Sequence, residues 1–291
     1  MTFHHVIKIA QNFIYKHMKL NDKSADQYSY HSFFNDITEK LDIIVMEHDL
    51  NNEIAGLSIK DAQGNFSISY QKTHHKYRQN FTKCHELGHF LLEHKGSVFT
   101  YSKDNTPQEL EANIFASILL APDIVLLGKI VYYKKTFQEL LSELEMSRDA
   151  LHIRLKQFLN YHTTLHDDEI ILIIQSYLTR KAPDDIIYAI KQAEKSIIEE
   201  YQAVTIQPID FIDRFLKQNN IVTSVDVKEL ADKHFIENIK QVFPNIVSDF
   251  YFDYGKTLYY IYQPDNTTAT QARQSAKNAH FNMVFLNLKI E

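Results

Sequence analysis

Apolar residues recur every three or four positions between residues 3 and 20 (Phe3, Val6, Ile7, Ala10, Phe13, Ile14), a spacing that predicts an amphipathic helix. A second helix is expected over 31–41. Ile43-Ile44-Val45-Met46 then reads as a short buried strand. Residues 55–60 and 65–70 alternate with period two around Asp61-Ala62-Gln63-Gly64, the pattern of a hairpin. Three strands thus precede a helix over residues 80–92, whose start Asn80 or Thr82 can cap and beyond whose end Gly96 lies. Thr106-Pro107 opens another helix that runs through Leu120, with threonine suited to the N-cap and proline to the first helical position. Residues 140–155 read as two helices joined by a tight turn, the second capped by Ser147.

Further along, Ile170-Ile171-Leu172-Ile173-Ile174 fits a buried strand or the start of a helix. Helical patterns follow at about 183–203, 208–219 and 225–241. Residues 250–262 suggest an aromatic hairpin, and Val284-Phe285-Leu286 a closing strand. The fold class expected is α+β in two domains. Residues 1–161 would hold a small three-stranded sheet and a chemistry-bearing helix, and residues 162–291 a mixed α/β domain without a recognisable catalytic spacing.

Composition narrows the class. With 44% hydrophobic and 23% charged residues in 291, the chain has the balance of a soluble globular protein. Its one cysteine excludes an internal disulfide framework and fits a reducing compartment. No signal-peptide core or membrane-length apolar run is present, so a cytoplasmic location is expected, with no membrane partner. Residues 1–161 carry 18 basic and 19 acidic side chains, and the remainder 13 and 18. Neither half has the basic excess that phosphate neutralisation demands, so direct nucleic-acid binding is not expected. For the same reason the 140–156 segment, with only Arg148, Arg154 and Lys156 to meet phosphates, is read as a helical hairpin of the first domain rather than as a DNA reader.

The sharpest chemical signal is His85-Glu86-Leu87-Gly88-His89. Two histidines four apart lie on one helix face and can both reach one ion. Imidazole nitrogen is a preferred Zn²⁺ donor, and two such ligands plus a third leave a position open for water. Glu86, beside the metal rather than on it, is placed as general base. Chance alone predicts roughly 0.05 such pentapeptides in a chain with 15 histidines and 17 glutamates. Gly88 inside a helix costs about 1 kcal/mol relative to alanine, which points to close packing or function.

The third ligand must come from a separate element. Glu109 lies one turn into the helix opened by Thr106, with Asn113 on the same face, where its amide can hydrogen-bond a ligand. Two alternatives stay open: Thr106-x-x-Glu109 is also a capping box, and Glu111 is a rival carboxylate. Cys84 is read as a buried, inert thiol, and His94, five residues past His89, as a surface residue.

The blocks Arg78-Gln79-Asn80-Phe81-Thr82, His85-Glu86-Leu87-Gly88-His89 and Glu109-Leu110-Glu111-Ala112-Asn113-Ile114-Phe115-Ala116-Ser117-Ile118-Leu119-Leu120-Ala121-Pro122 together resemble the ImmA/IrrE family of bacterial and phage metallopeptidases. The resemblance covers roughly residues 30 to 160. Cys84 stands where a small apolar residue is common, and Ala121 where methionine usually precedes the proline. What the resemblance implies is a zincin-like, more narrowly gluzincin-like, peptidase domain holding Zn²⁺ on His85, His89 and Glu109, with Glu86 as base. It further implies a protein substrate, a helix-turn-helix repressor of a phage, mobile element or stress regulon.

Lesser candidates surround this core. Tyr70, Tyr77 and Tyr101 are possible donors to a tetrahedral oxyanion, and His74 and His75 lie on a loop that can approach the site. Phe66–Tyr70 is the expected edge strand for an extended substrate. The competing function is a metal-stabilised module that sequesters a repressor without hydrolysing it.

Overall fold

A computed structural model describes residues 4–50, 54–61, 64–96, 98–100, 106–180 and 184–286. The chain divides into two compact units, 1–205 and 206–291.

The first unit opens with α1 (His4–Leu20) and α2 (Tyr30–Lys40), the latter capped by Ser29, whose hydroxyl accepts from the His31 amide. Strands β1 (Ile44–His48), β2 (Gly56–Lys60), β3 (Phe66–Gln71) and β4 (Val98–Thr100) form one sheet in the order β1-β3-β2-β4. β1 runs parallel to β3; the other pairs are antiparallel. Between β3 and β4 lies α3 (Lys76–Leu91), packed on β3, β2 and α4 (Pro107–Leu120). The remaining elements are α5 (Asp123–Leu127), continued by a π-helical turn to Tyr132, then α6 (Phe137–Glu143), α7 (Arg148–His162), α8 (Asp167–Thr179) and α9 (Asp184–Ala203).

Several expectations need correction. The three strands ahead of α3 form as expected, but β3 is an inner strand, bonded by β1 and β2, so Phe66–Tyr70 offers no free edge. The edges among the described strands are β1 and β4, and β4 was not foreseen. β1 is not buried: Ile43 just before it is, whereas Ile44 is 60% exposed. α3 begins a turn earlier than expected, capped by His75, and Asn80 instead accepts a hydrogen bond from Tyr30 Oη. Ile170–Ile174 is helical, inside α8.

The first unit also runs past the expected boundary at 161/162. Ile170, Ile174, Ile186, Ile190 and Ile197 of α8 and α9 complete the same core as Leu87, Phe115 and Phe158. A buried polar network adds to this apolar seam. Asp123 pairs with Arg154 and accepts from Gln11 at 2.9 Å and His162 at 3.0 Å, while Gln11 also reaches Glu200 of α9 at 2.8 Å. Burial alone would raise the Asp123 carboxyl, but Arg154 and His162 outweigh it and hold the group well below its ordinary range. The helical hairpin α6–α7 belongs to this core through Leu140, Leu144, Met146, Leu151 and Leu155.

The second unit contains α10 (Pro208–Gln218), β5 (Val222–Thr223), a 3₁₀ turn (Lys228–Ala231), α11 (Lys233–Val242), β6 (Val247–Asp253), β7 (Lys256–Tyr262) and α12 (Ala269–Phe281). Its antiparallel sheet has the order β5-β7-β6. The aromatic hairpin forms: Tyr254 (φ 46°) and Gly255 (φ 70°) supply the two left-handed residues of a tight turn. Ile212, Leu216, Ile239 and Ile261 make one apolar cluster, and Leu258, Tyr260, Ala272 and Ala276 the other. Alternate residues of β7 thus bury on opposite sides. Val284–Leu286 is not a closing strand but part of a π-helical turn after α12. Among the described residues no single helix is long and apolar enough to cross a membrane.

Candidate metal centre

Two helices carry the site, and small residues let them approach. A Cβ on Gly88 of α3 would lie 3.3 Å from Phe115 and 3.4 Å from the Ala112 backbone of α4. Ala112 and Ala116 are fully buried in that seam. The crossing brings His85, His89 and Glu109 together, with one donor atom from each within 4.8 Å of the others. His85 Nε2 lies 3.1 Å from Glu109 Oε2, His89 Nε2 lies 3.3 Å from Glu109 Oε1, and the two Nε2 atoms are 3.0 Å apart. Thr106 does cap α4, accepting from the Glu109 amide at 3.3 Å, but the Glu109 carboxylate turns to the imidazoles rather than back to the cap.

Charge in the cluster is poised for a cation. Burial alone would raise the Glu109 carboxyl, yet hydrogen bonds with His85 and His89 outweigh it and hold it at about 2. Burial lowers the His89 imidazole, favouring the neutral form that donates a lone pair. Both Glu109 oxygens turn to the imidazoles, Oε2 to His85 and Oε1 to His89. Two imidazole nitrogens and a carboxylate that converge on one point fit a divalent ion of zinc type.

Glu86 is fully buried beside this set. Ser58 Oγ of β2 donates to its Oε2 at 2.6 Å, while Oε1 is buried and unpartnered. Burial pushes the carboxyl up to about 8; the Ser58 hydrogen bond opposes this and the Glu109 charge adds to it. A carboxylate tuned near neutrality suits proton transfer.

The outer nitrogens of both histidines are occupied. His85 Nδ1 lies 3.0 Å from Asn113 Oδ1. His89 Nδ1 lies 2.9 Å from His94 Nδ1, and His94 Nε2 lies 3.0 Å from Glu111 Oε2. The rival carboxylate Glu111 is therefore not among the converging donors, and His94 is nearly buried rather than a surface residue.

Other candidates lie elsewhere. Tyr70 Oη donates to Glu47 at 3.1 Å. His75 caps α3 ten residues before His85, about 15 Å along the axis, and His74 precedes it. Tyr77 lines a cleft of about 1000 Å³ together with Phe81, Asn113, Ile153 and Tyr161. Tyr101 lies outside the described residues. Cys84 is fully buried, and burial pushes its thiol up, as expected of an inert cysteine.

Residues 38–156 match the family model described as the IrrE N-terminal-like domain of the M78 peptidases. That stretch is similar to the M78 peptidase domain. The match spans β1 to most of α7 and contains the whole His85–His89–Glu109 cluster, whereas α1, α8, α9 and the second unit lie outside it. The matched family is one of metal-dependent peptidases, and the two histidines and the glutamate that converge here lie within the matched stretch. No curated protein matches the chain.

Proposed function

We propose that this protein is a zinc-dependent endopeptidase acting on a cytosolic protein, with a helix-turn-helix repressor as the substrate favoured by the family resemblance. The observation that carries this reading is the pairing of a three-donor cluster with a separate, buried glutamate whose Oε1 has no partner. His85, His89 and Glu109 would hold the zinc. Bound there, the ion would supply Lewis acidity, polarising the scissile carbonyl and lowering the pKa of its water toward neutrality.

The chain's own residues do the rest. Glu86 Oε1 accepts the proton of the attacking water and returns it to the leaving amine nitrogen. Ser58, fixed on Oε2, holds the carboxylate so that Oε1 is the oxygen in play. Asn113 fixes the tautomer of His85 by accepting at Nδ1, leaving Nε2 as donor to the ion. β4, the edge next to the strand that bears Ser58, supplies backbone groups for an extended substrate. Nucleic-acid contact by α7 is disfavoured, because Arg154 is buried against Asp123 and Lys156 pairs with Asp167 at 2.8 Å.

The test is co-expression with helix-turn-helix proteins encoded beside the gene, following their fragmentation with wild type and Glu86→Gln. Fragmentation that needs Glu86 supports hydrolysis. Partner inactivation that survives Glu86→Gln, with no fragments, supports the sequestering module instead.

A further inference from the structure

His94 follows His89 by five residues, off the face that an α-helix would give it. It is nonetheless stacked edge-on to His89, with ring centroids 4.9 Å apart. The cause is the way α3 ends. Glu93 adopts a left-handed conformation (φ 54°), its amide donates to Phe90 O at 3.0 Å, and the His94 amide donates to His89 O at 3.0 Å. These are the two reverse bonds of a Schellman motif, here built on glutamate instead of glycine. A non-glycine residue in that region costs about 1 kcal/mol, and the result is that the chain doubles back and lays His94 against His89.

The proton positions then follow from one requirement. If His89 Nε2 is to face an ion with its lone pair, the ring proton sits on Nδ1. His94 Nδ1, 2.9 Å away, stands in position to accept that proton, and the His94 proton then sits on Nε2. His94 Nε2 therefore donates to Glu111 Oε2 at 3.0 Å, and the other Glu111 oxygen lies 3.2 Å from His5 Nε2 of α1. Every hydrogen bond runs one way, toward the Glu111 carboxylate.

We infer that His94 and Glu111 are positioning residues that fix the tautomer and orientation of His89 as a metal ligand. Like Asn113 at His85, they act through another side chain. The inference rests on the metal-centre reading above. Outer partners of this kind are worth about 10–100-fold in metal affinity.

The test uses the full chain, stripped of metal, and measures zinc affinity by competition with a chromogenic chelator. The visible spectrum of the cobalt-loaded protein is the second readout. His94→Ala is expected to weaken zinc about 10–100-fold and to shift the cobalt bands. His94→Gln, whose carbonyl can accept from His89 while its amide donates to Glu111, is expected to recover most of the loss. Glu111→Ala, at a partly exposed position, is expected to weaken zinc as well and carries the test should His94→Ala not fold. Zinc affinity within twofold of wild type for both alanine variants, with wild type binding normally, overturns the positioning role alone. Wild type that binds no zinc overturns the metal-centre reading and this inference with it.

Discussion

Gly56 of β2 faces Glu86 of α3 so closely that a Cβ at position 56 would lie 2.7 Å from Glu86 Oε1, and nearer still to the methyl of Thr82. The glycine is therefore the floor beneath the proposed base. Gly56→Ala should displace the Glu86 carboxylate while leaving His85, His89 and Glu109 in place. Cleavage is expected to fall about a hundredfold with zinc affinity little changed. Loss of zinc in step with activity would mean that the strand and helix separate as a whole.

Burying Glu86 has a pH signature. Its folded value, about 8, lies above the ordinary 4.5, so the neutral carboxyl is the favoured form. The stability this contributes is fully present below about 4.5 and is lost as pH rises through 8. In metal-free protein, Glu86→Gln should lie within about 1 kcal/mol of wild type at pH 5 and exceed it at pH 9 by on the order of 5 kcal/mol. Urea unfolding in chelator checks this, and comparison at each pH cancels the histidine titrations. Equal stability at pH 9 would refute a costly buried charge.

Metal removal should be felt by the folded state. At free zinc one hundred times the dissociation constant, chelation is expected to cost about 2.7 kcal/mol, seen as a drop in the calorimetric midpoint. Glu109→Ala should abolish the zinc-dependent part of the midpoint. A zinc response undiminished in Glu109→Ala would remove that residue from the ligand set.

The polar network around Asp123 predicts where the chain tolerates cutting. Ending it after residue 161 removes α8, α9 and the Glu200 contacts to Lys8 and Gln11, exposing Phe158 and the rest of that core face. That fragment should aggregate or bind a hydrophobic dye, whereas a chain ending after residue 205 should unfold cooperatively. A cooperative 1–161 fragment would show the added helices to be ornamental.

What the sequence made legible was chemistry tied to a single helix or cap. The spacing of His85 and His89, the N-cap Thr106, and Asn113 on the face of Glu109 all follow from helical periodicity. Strand order did not follow, because alternation in Phe66–Tyr70 marks a strand but says nothing of its neighbours. The exposed Ile44 and Met46 misled for a related reason: apolar residues on an edge strand look the same in sequence as those in a core. Ser58 stood in plain view within β2, yet only the packing of α3 on that strand joins it to Glu86. His94 was missed because a left-handed glutamate carries no sequence signal comparable to glycine. The end of the first unit was placed too early because α8 and α9 read as ordinary amphipathic helices, and periodicity does not tell which core they join.

His5 belongs to α1, outside the stretch 38–156 that matches the peptidase family, yet it reaches Glu111 and through it the chain of rings ending at His89. A transplant of the matched stretch into another scaffold would carry His85, His89 and Glu109 and still leave part of their bracing behind. Anyone borrowing this centre for design should take the leading helix with it.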